Sequence, residues 1–197
     1  VHADVYDEFV DKFKARVKQL KIGDPANEDV EMGPLCNEAT LKRVVEHVND
    51  AVAKGAVIEQ TGPQEGLYYP ATVLTGVTTD MLIAQEETFG PVAPIIKVAS
   101  ADEAITIANS SGLGLIASLW TKDLATAWRV GEALPHGSVN INETSNYWDQ
   151  LAPFGGAGNS GVGRELSQWF LETFTEKKLL VFDLGGEHHN RRAEGGW

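Results

Sequence analysis

Apolar side chains recur three and four positions apart through the first part of the chain, the spacing of a helix that buries one face. Tyr6, Phe9, Val10, Phe13, Val17 and Leu20 form one such stripe, and Asp4 is positioned to cap it. Basic residues gather near its end, where they complement the helix dipole, and Gly23, Asp24 and Pro25 stop it. A second stripe, Leu41, Val44, Val45, Val48 and Val52, predicts another inward-facing helix, with Asn37 as its cap and Gly55 closing it. The period then changes. Residues 56–60 and 69–74 read as short strands on either side of a turn marked by Gly62, Pro63 and Gly66, a hairpin-like excursion.

Beyond residue 91 the two periods alternate regularly. Strands are expected at 92–98, 115–120 and 138–142, with helices at 101–109 and 123–134 between them. Ser100 followed by Glu103 is a capping-box pattern and strengthens the first of these helices. Strands alternating with helices imply an α/β fold with a parallel sheet and right-handed crossovers. Ligands in such sheets sit beyond the carboxyl ends of strands, which directs attention to the loop after Asn142. That loop, residues 143–158, carries Asn146, Tyr147, Trp148 and Phe154 among glycines, a large aromatic surface to leave uncovered. Gly161 and Gly163 then permit a tight turn into a helix with Leu166, Trp169, Phe170 and Phe174. Residues 179–184 (Leu, Leu, Val, Phe, Asp, Leu) read as a strand with no partner nearby in sequence, and a strand of that kind needs an edge. The rest, 185–197, is rich in glycine and charge and is expected to be mobile, with His188 and His189 facing solvent rather than a metal.

Composition narrows the possible functions. The 197 residues are 43% hydrophobic, enough for a sizeable core. Lysine and arginine total 16 against 28 acids, a net charge of -12, which argues against nucleic-acid or anionic-membrane partners. A single cysteine cannot close an internal disulfide and fits a reducing compartment, so a cytoplasmic location is expected. No stretch is long and apolar enough to cross a membrane. The start (Val1, His2, Ala3, Asp4) has no signal-peptide character and no initiator methionine, and reads as a cut inside a longer protein or an incomplete sequence.

The most unusual stretch is residues 85–92 (Gln, Glu, Glu, Thr, Phe, Gly, Pro, Val). Two adjacent acids, an aromatic and a rigid Gly-Pro pair interrupt apolar sequence just before an expected strand. A carboxylate there suits two sugar hydroxyls, and a ring there suits a flat heterocycle; an acidic turn leading into a buried strand is the plainer alternative. This segment resembles the acidic Phe-Gly-Pro motif of the aldehyde dehydrogenase superfamily. The resemblance extends from Val1 to about Leu184 through markers in the family's order: residues 5–9 (Val, Tyr, Asp, Glu, Phe), 21–25 (Lys, Ile, Gly, Asp, Pro), 32–35 (Met, Gly, Pro, Leu), 153–156 (Pro, Phe, Gly, Gly) and 160–165 (Ser, Gly, Val, Gly, Arg, Glu). Ala157 and Gly158 depart from it, since many relatives carry an aromatic and a basic residue there.

The resemblance implies an NAD- or NADP-dependent oxidation of a small-molecule aldehyde to a carboxylic acid. It places the nicotinamide ribose on Glu87 and the nicotinamide beside Phe89. It puts Phe154 near the reacting carbon and Glu143, Thr144, Tyr147 and Trp148 at the mouth of the aldehyde tunnel, although Tyr147 and Trp148 equally suit a loop packed on another subunit. Residues 1–178 would form most of a parallel-sheet catalytic domain and 179–184 a terminal strand that adds to another subunit, giving a dimer or tetramer, before the 185–197 tail. In the family a cysteine thiolate attacks the carbonyl and a glutamate activates the hydrolytic water. Both are expected upstream of Val1, so no catalytic residue is assigned here and this chain alone is expected to be silent. Two rivals stand beside this reading. One is a non-enzymatic, assembly-competent chain acting through its terminal strand. The other is a hydrolase built on Cys36 and His47, against which Cys36 reads as a small, partly buried structural residue.

Overall fold

The computed structural model describes residues 1–147 and 149–182; Trp148 and 183–197, including His188 and His189, lie outside the described residues. The chain divides into two compact units, one of residues 1–147 with 155–162 and one of residues 148–154 with 163–197.

The first unit begins with α1 (Ala3–Val17). Its cap is His2, whose Nδ1 accepts from the Asp4 N–H, so the expected Asp4 cap is corrected: Asp4 sits inside the first turn, where its charge still meets the dipole. Helix α2 (Glu38–Ala53) is capped by Asn37, whose Oδ1 accepts from the Thr40 N–H at 2.8 Å. Gly55 follows its end at φ 100°, a conformation open to glycine and costly to most side chains. Leu41, Val44, Val48 and Ala51 are buried along this helix, whereas Val52 is 41% exposed and leaves the expected stripe.

Strand β1 (Val57–Gln60) pairs antiparallel with β2 (Thr72–Thr75), the expected hairpin-like pair. On its other side β2 pairs in parallel with β3 (Val92–Ile95). Being central, β2 buries both faces, and alternate side chains go opposite ways. Leu74 packs with Leu41, Val44, Val48 and Ala51 of α2, while Val73 packs with Val10 of α1 and Ile95. One helix therefore covers each face of this sheet. β3 ends earlier than the expected 92–98 strand, and it holds Pro94, which has no N–H to give a ladder and is tolerated at the sheet's margin. Between β2 and β3 lies α3 (Leu82–Gln85), a short helix that the spacing did not announce.

Next come α4 (Ala101–Ser110), β4 (Leu113–Gly114), β5 (Ile116–Leu119), α5 (Leu124–Ala133) and β6 (Ser138–Ile141). The capping box at α4 is formed: Ser100 Oγ accepts from the Glu103 N–H, and Glu103 Oε2 reaches back to the Ala99 N–H. β5 and β6 pair in parallel around α5, as the alternation requires. β7 (Ala157–Gly158) pairs antiparallel with β4. The class is the expected α/β fold with parallel strand pairs, distributed over three short ladders among the described residues. No helix of the described residues is long and apolar enough to cross a membrane.

In the second unit Phe154 and Glu165 form an antiparallel bridge and α6 (Ser167–Thr173) follows. Phe170 and Phe174 meet edge to face at 4.9 Å, yet Trp169, Phe170, Leu171 and Phe174 all stay exposed. Residues 179–182 pair with no strand among the described residues and are 62–85% exposed.

Candidate functional site

The turn at residues 86–90 is built on α2. Asp50, near the end of that helix, accepts the Leu82 N–H on Oδ2 at 2.8 Å and so caps α3, which has no side-chain cap of its own. Lys54 adds a second tie, with Nζ 2.9 Å from Asp50 Oδ1 and 2.6 Å from the Asp80 carbonyl. These donors hold the Asp50 carboxyl below its ordinary range, the Leu82 N–H contributing most. Thus α3 is fixed to α2 before the turn begins.

After α3 the backbone is extended at Glu86, with φ -122° and ψ 151°. Two side chains of this segment reach His47 of α2, Thr88 half-buried and Glu86 still 61% exposed. Glu86 Oε2 lies 3.5 Å from His47 Nε2, and Thr88 Oγ1 lies 3.0 Å from His47 Nδ1. Gly90 rests on Val44, where a Cβ would overlap Cγ2. Glu87 is exposed and forms no hydrogen bond or ion pair with another described residue. Phe89 is 67% exposed at φ 53°, a conformation rare for a large aromatic, which turns its ring outward.

A free carboxylate and an uncovered ring two residues apart suit a vicinal diol joined to a planar heterocycle. That is the chemistry of a nicotinamide riboside, so the residues present fit NAD or NADP. Sequence reasoning chose Glu87 and Phe89 but missed the support beneath them. The available signal was His47, a polar residue on the apolar stripe between Val44 and Ala51.

The loop after β6 is anchored by two asparagines. Asn142, at φ 56°, joins Thr121 through both ends of its amide, accepting the Thr121 N–H and donating to its carbonyl, each at 2.9 Å. Asn140 Nδ2 donates to the Thr144 carbonyl at 2.7 Å and lies 3.4 Å from that of Tyr147. Glu143, Thr144 and Tyr147 are all exposed on this loop. Trp148 is outside the described residues. Phe154, in the second unit, is half-buried, its N–H donating to the Glu165 carbonyl at 2.9 Å.

Cys36 is exposed rather than partly buried, its Sγ 3.1 Å from Thr40 Oγ1. Both nitrogens of His47 face Thr88 and Glu86, so the cysteine and histidine of the hydrolase reading have different partners. No group of three or more potential metal-ligating side chains occurs among the described residues.

Residues 1–180 match the aldehyde dehydrogenase family, and the chain belongs to it. It is 42% identical over 183 residues to a probable NADP(+) succinate-semialdehyde dehydrogenase of Sinorhizobium fredii, covering 91% of this chain and 37% of that protein. The structure of succinate-semialdehyde dehydrogenase from Burkholderia pseudomallei superposes with a TM-score of 0.84 at 44% identity, over 88% of this chain and 36% of the other. Aldehyde dehydrogenase 21 of Physcomitrella patens, solved with the reaction product succinate, gives a TM-score of 0.88 at 33% identity, over 95% and 39%. The chain thus spans about two-fifths of the length of the relatives it matches.

Proposed function

We propose that this chain supplies the nicotinamide-riboside side of an aldehyde dehydrogenase active site, and that the enzyme it serves oxidises an aldehyde to a carboxylic acid with NAD or NADP. The observation that carries the reading is the pair of outward residues on a turn held from beneath: Glu87, whose oxygens have no partner among the described residues, and Phe89 with its ring 67% exposed. When bound, the cofactor supplies the hydride acceptor. Glu87 would hold the ribose by accepting hydrogen bonds from its hydroxyls, and Phe89 would lie against the nicotinamide and exclude water from it. Glu143, Thr144 and Tyr147, exposed on the loop after β6, would select the aldehyde. Succinate semialdehyde is the first substrate to try, because similar proteins carry that activity in their names.

Titration of this chain with nicotinamide mononucleotide, NAD and NADP, followed by backbone NMR, tests the cofactor half. Shifts concentrated at residues 86–90 and abolished by Glu87→Gln support the reading; shifts elsewhere, or ones that survive the substitution, overturn it. In the enzyme that carries the chain, Glu87→Gln should raise the cofactor KM. A hydrogen bond to a charged acceptor is worth about 1.5–3 kcal/mol, or roughly 10- to 100-fold.

Self-association is proposed alongside, supported by the exposure of Leu179, Leu180, Val181 and Phe182 in one run. A second copy would cover this apolar run by adding residues 179–184 to a sheet edge. Size-exclusion chromatography with and without 179–184 tests it: loss of the larger species on deletion supports it, and an unchanged profile refutes it.

A further inference from the structure

We propose that His47 is a positioning residue for the cofactor turn, holding Thr88 by a hydrogen bond and Glu86 by a longer contact and thereby presenting Glu87 and Phe89 to the ligand. The inference rests on the cofactor reading of Glu87. His47 is 2% exposed, on a helix face otherwise occupied by Leu41, Val44, Val48 and Ala51. An imidazole is costly to bury in such company unless its nitrogens are engaged, and a leucine would satisfy the stripe at no such cost. Nδ1 meets Thr88 Oγ1 at a hydrogen-bond distance of 3.0 Å, and Nε2 lies 3.5 Å from Glu86 Oε2, a longer contact to the same segment of chain.

Those two partners flank Glu87, which is exposed, so the ring ties the chain on both sides of that carboxylate. The clamp acts against a fixed frame, because α2 holds α3 through Asp50 and Lys54 on one side of the turn and seats Gly90 on Val44 on the other. His47 touches no substrate in this account. Its effect reaches the cofactor only through the placement of Glu87 and Phe89, where sub-ångström precision governs binding.

Three variants, His47→Leu, His47→Gln and Thr88→Val, separate this role from simple packing. Thr88→Val keeps the side-chain shape and removes the Nδ1 partner without touching the core, so it decides the matter should His47→Leu fail to fold. NMR order parameters measured on this chain should fall at Glu87 and Phe89 from about 0.85 to below about 0.6 in Thr88→Val and His47→Leu, with α1 and β2 unchanged. In the enzyme that carries the chain, the same variants should raise the cofactor KM about ten-fold while the aldehyde KM holds. His47→Gln, which retains a donor and an acceptor, should recover part of that loss. Order parameters and cofactor KM that stay at wild-type values in Thr88→Val and His47→Leu, while Glu87→Gln still weakens the cofactor, would overturn the clamp and leave the cofactor reading standing. A Glu87→Gln variant with unaltered cofactor KM would bring down both.

Discussion

Gly90 is the position where the turn and α2 come closest, and Gly90→Ala measures how tightly they are fitted. An added Cβ would stand 3.4 Å from Val44 Cγ1 and 3.5 Å from its Cβ, and would overlap Cγ2 outright. Carbon atoms prefer about 3.5–4.0 Å, so relief on the order of 1 Å is needed. Val44 cannot supply it easily. It is 0% exposed, and a β-branched side chain within a helix has essentially one χ1 rotamer. Overpacking of this kind costs about 1–3 kcal/mol, offset by about 0.4–1 kcal/mol from the loss of glycine's freedom in the unfolded chain. The net cost is expected near 1–2 kcal/mol, which at a urea slope of about 2 kcal/mol/M lowers the midpoint by roughly 0.5–1 M. Val44→Ala alone should cost about 2 kcal/mol from lost burial and a small cavity. The double variant is the decisive one, because removing both Cγ atoms leaves the new methyl at an ordinary 3.5 Å contact with the Val44 Cβ. Its cost should fall short of the sum of the two single variants by about 1–2 kcal/mol. Additivity within about 0.5 kcal/mol, read from urea denaturation followed by circular dichroism, would show that the turn does not press on Val44 and would refute the reasoning.

Two further outcomes follow from the same geometry. Gly131 lies within α5 with nothing within 4 Å of an added Cβ, so Gly131→Ala should stabilise the chain by about 0.5–1 kcal/mol in thermal or urea unfolding; a loss of stability would contradict the open space beside it. The Asp50 carboxyl, lowered first by the Leu82 N–H and then by Lys54, adds a stability that is complete above its ordinary 3.8 and is lost as pH falls through the lower folded value. Asp50→Asn should therefore show a shallower decline of stability than wild type below about pH 4, and equal slopes in that window would sink the assignment.

Much of the local structure was written in single-residue spacing. The α2 stripe with Asn37 before it and Gly55 after it, the Ser100–Glu103 box and the alternation from β3 to β6 all concern groups a few positions apart, and these the chain satisfies as soon as it turns. The same logic failed where two local solutions were nearly equal. His2 took the cap expected of Asp4, since either side chain can reach an open N–H at the first turn. Val52 stayed outside, whereas Ala51, one residue earlier, joined the buried cluster with Leu74 and Met81.

The candidate site divides in the same way. Its acid, ring and Gly-Pro pair were legible in order, and so was their kinship with aldehyde dehydrogenases. Sequence chose Glu87 over Glu86 only through that kinship, because the two acids are chemically alike and adjacent. What sequence did not announce is the contact beneath the turn, between His47 and Thr88, 41 positions apart, since no periodicity encodes a contact at such a separation. Tertiary structure made it by burying the imidazole on α2, where Nδ1 meets the Thr88 hydroxyl at 3.0 Å and is spared the cost of an unpaired buried polar group.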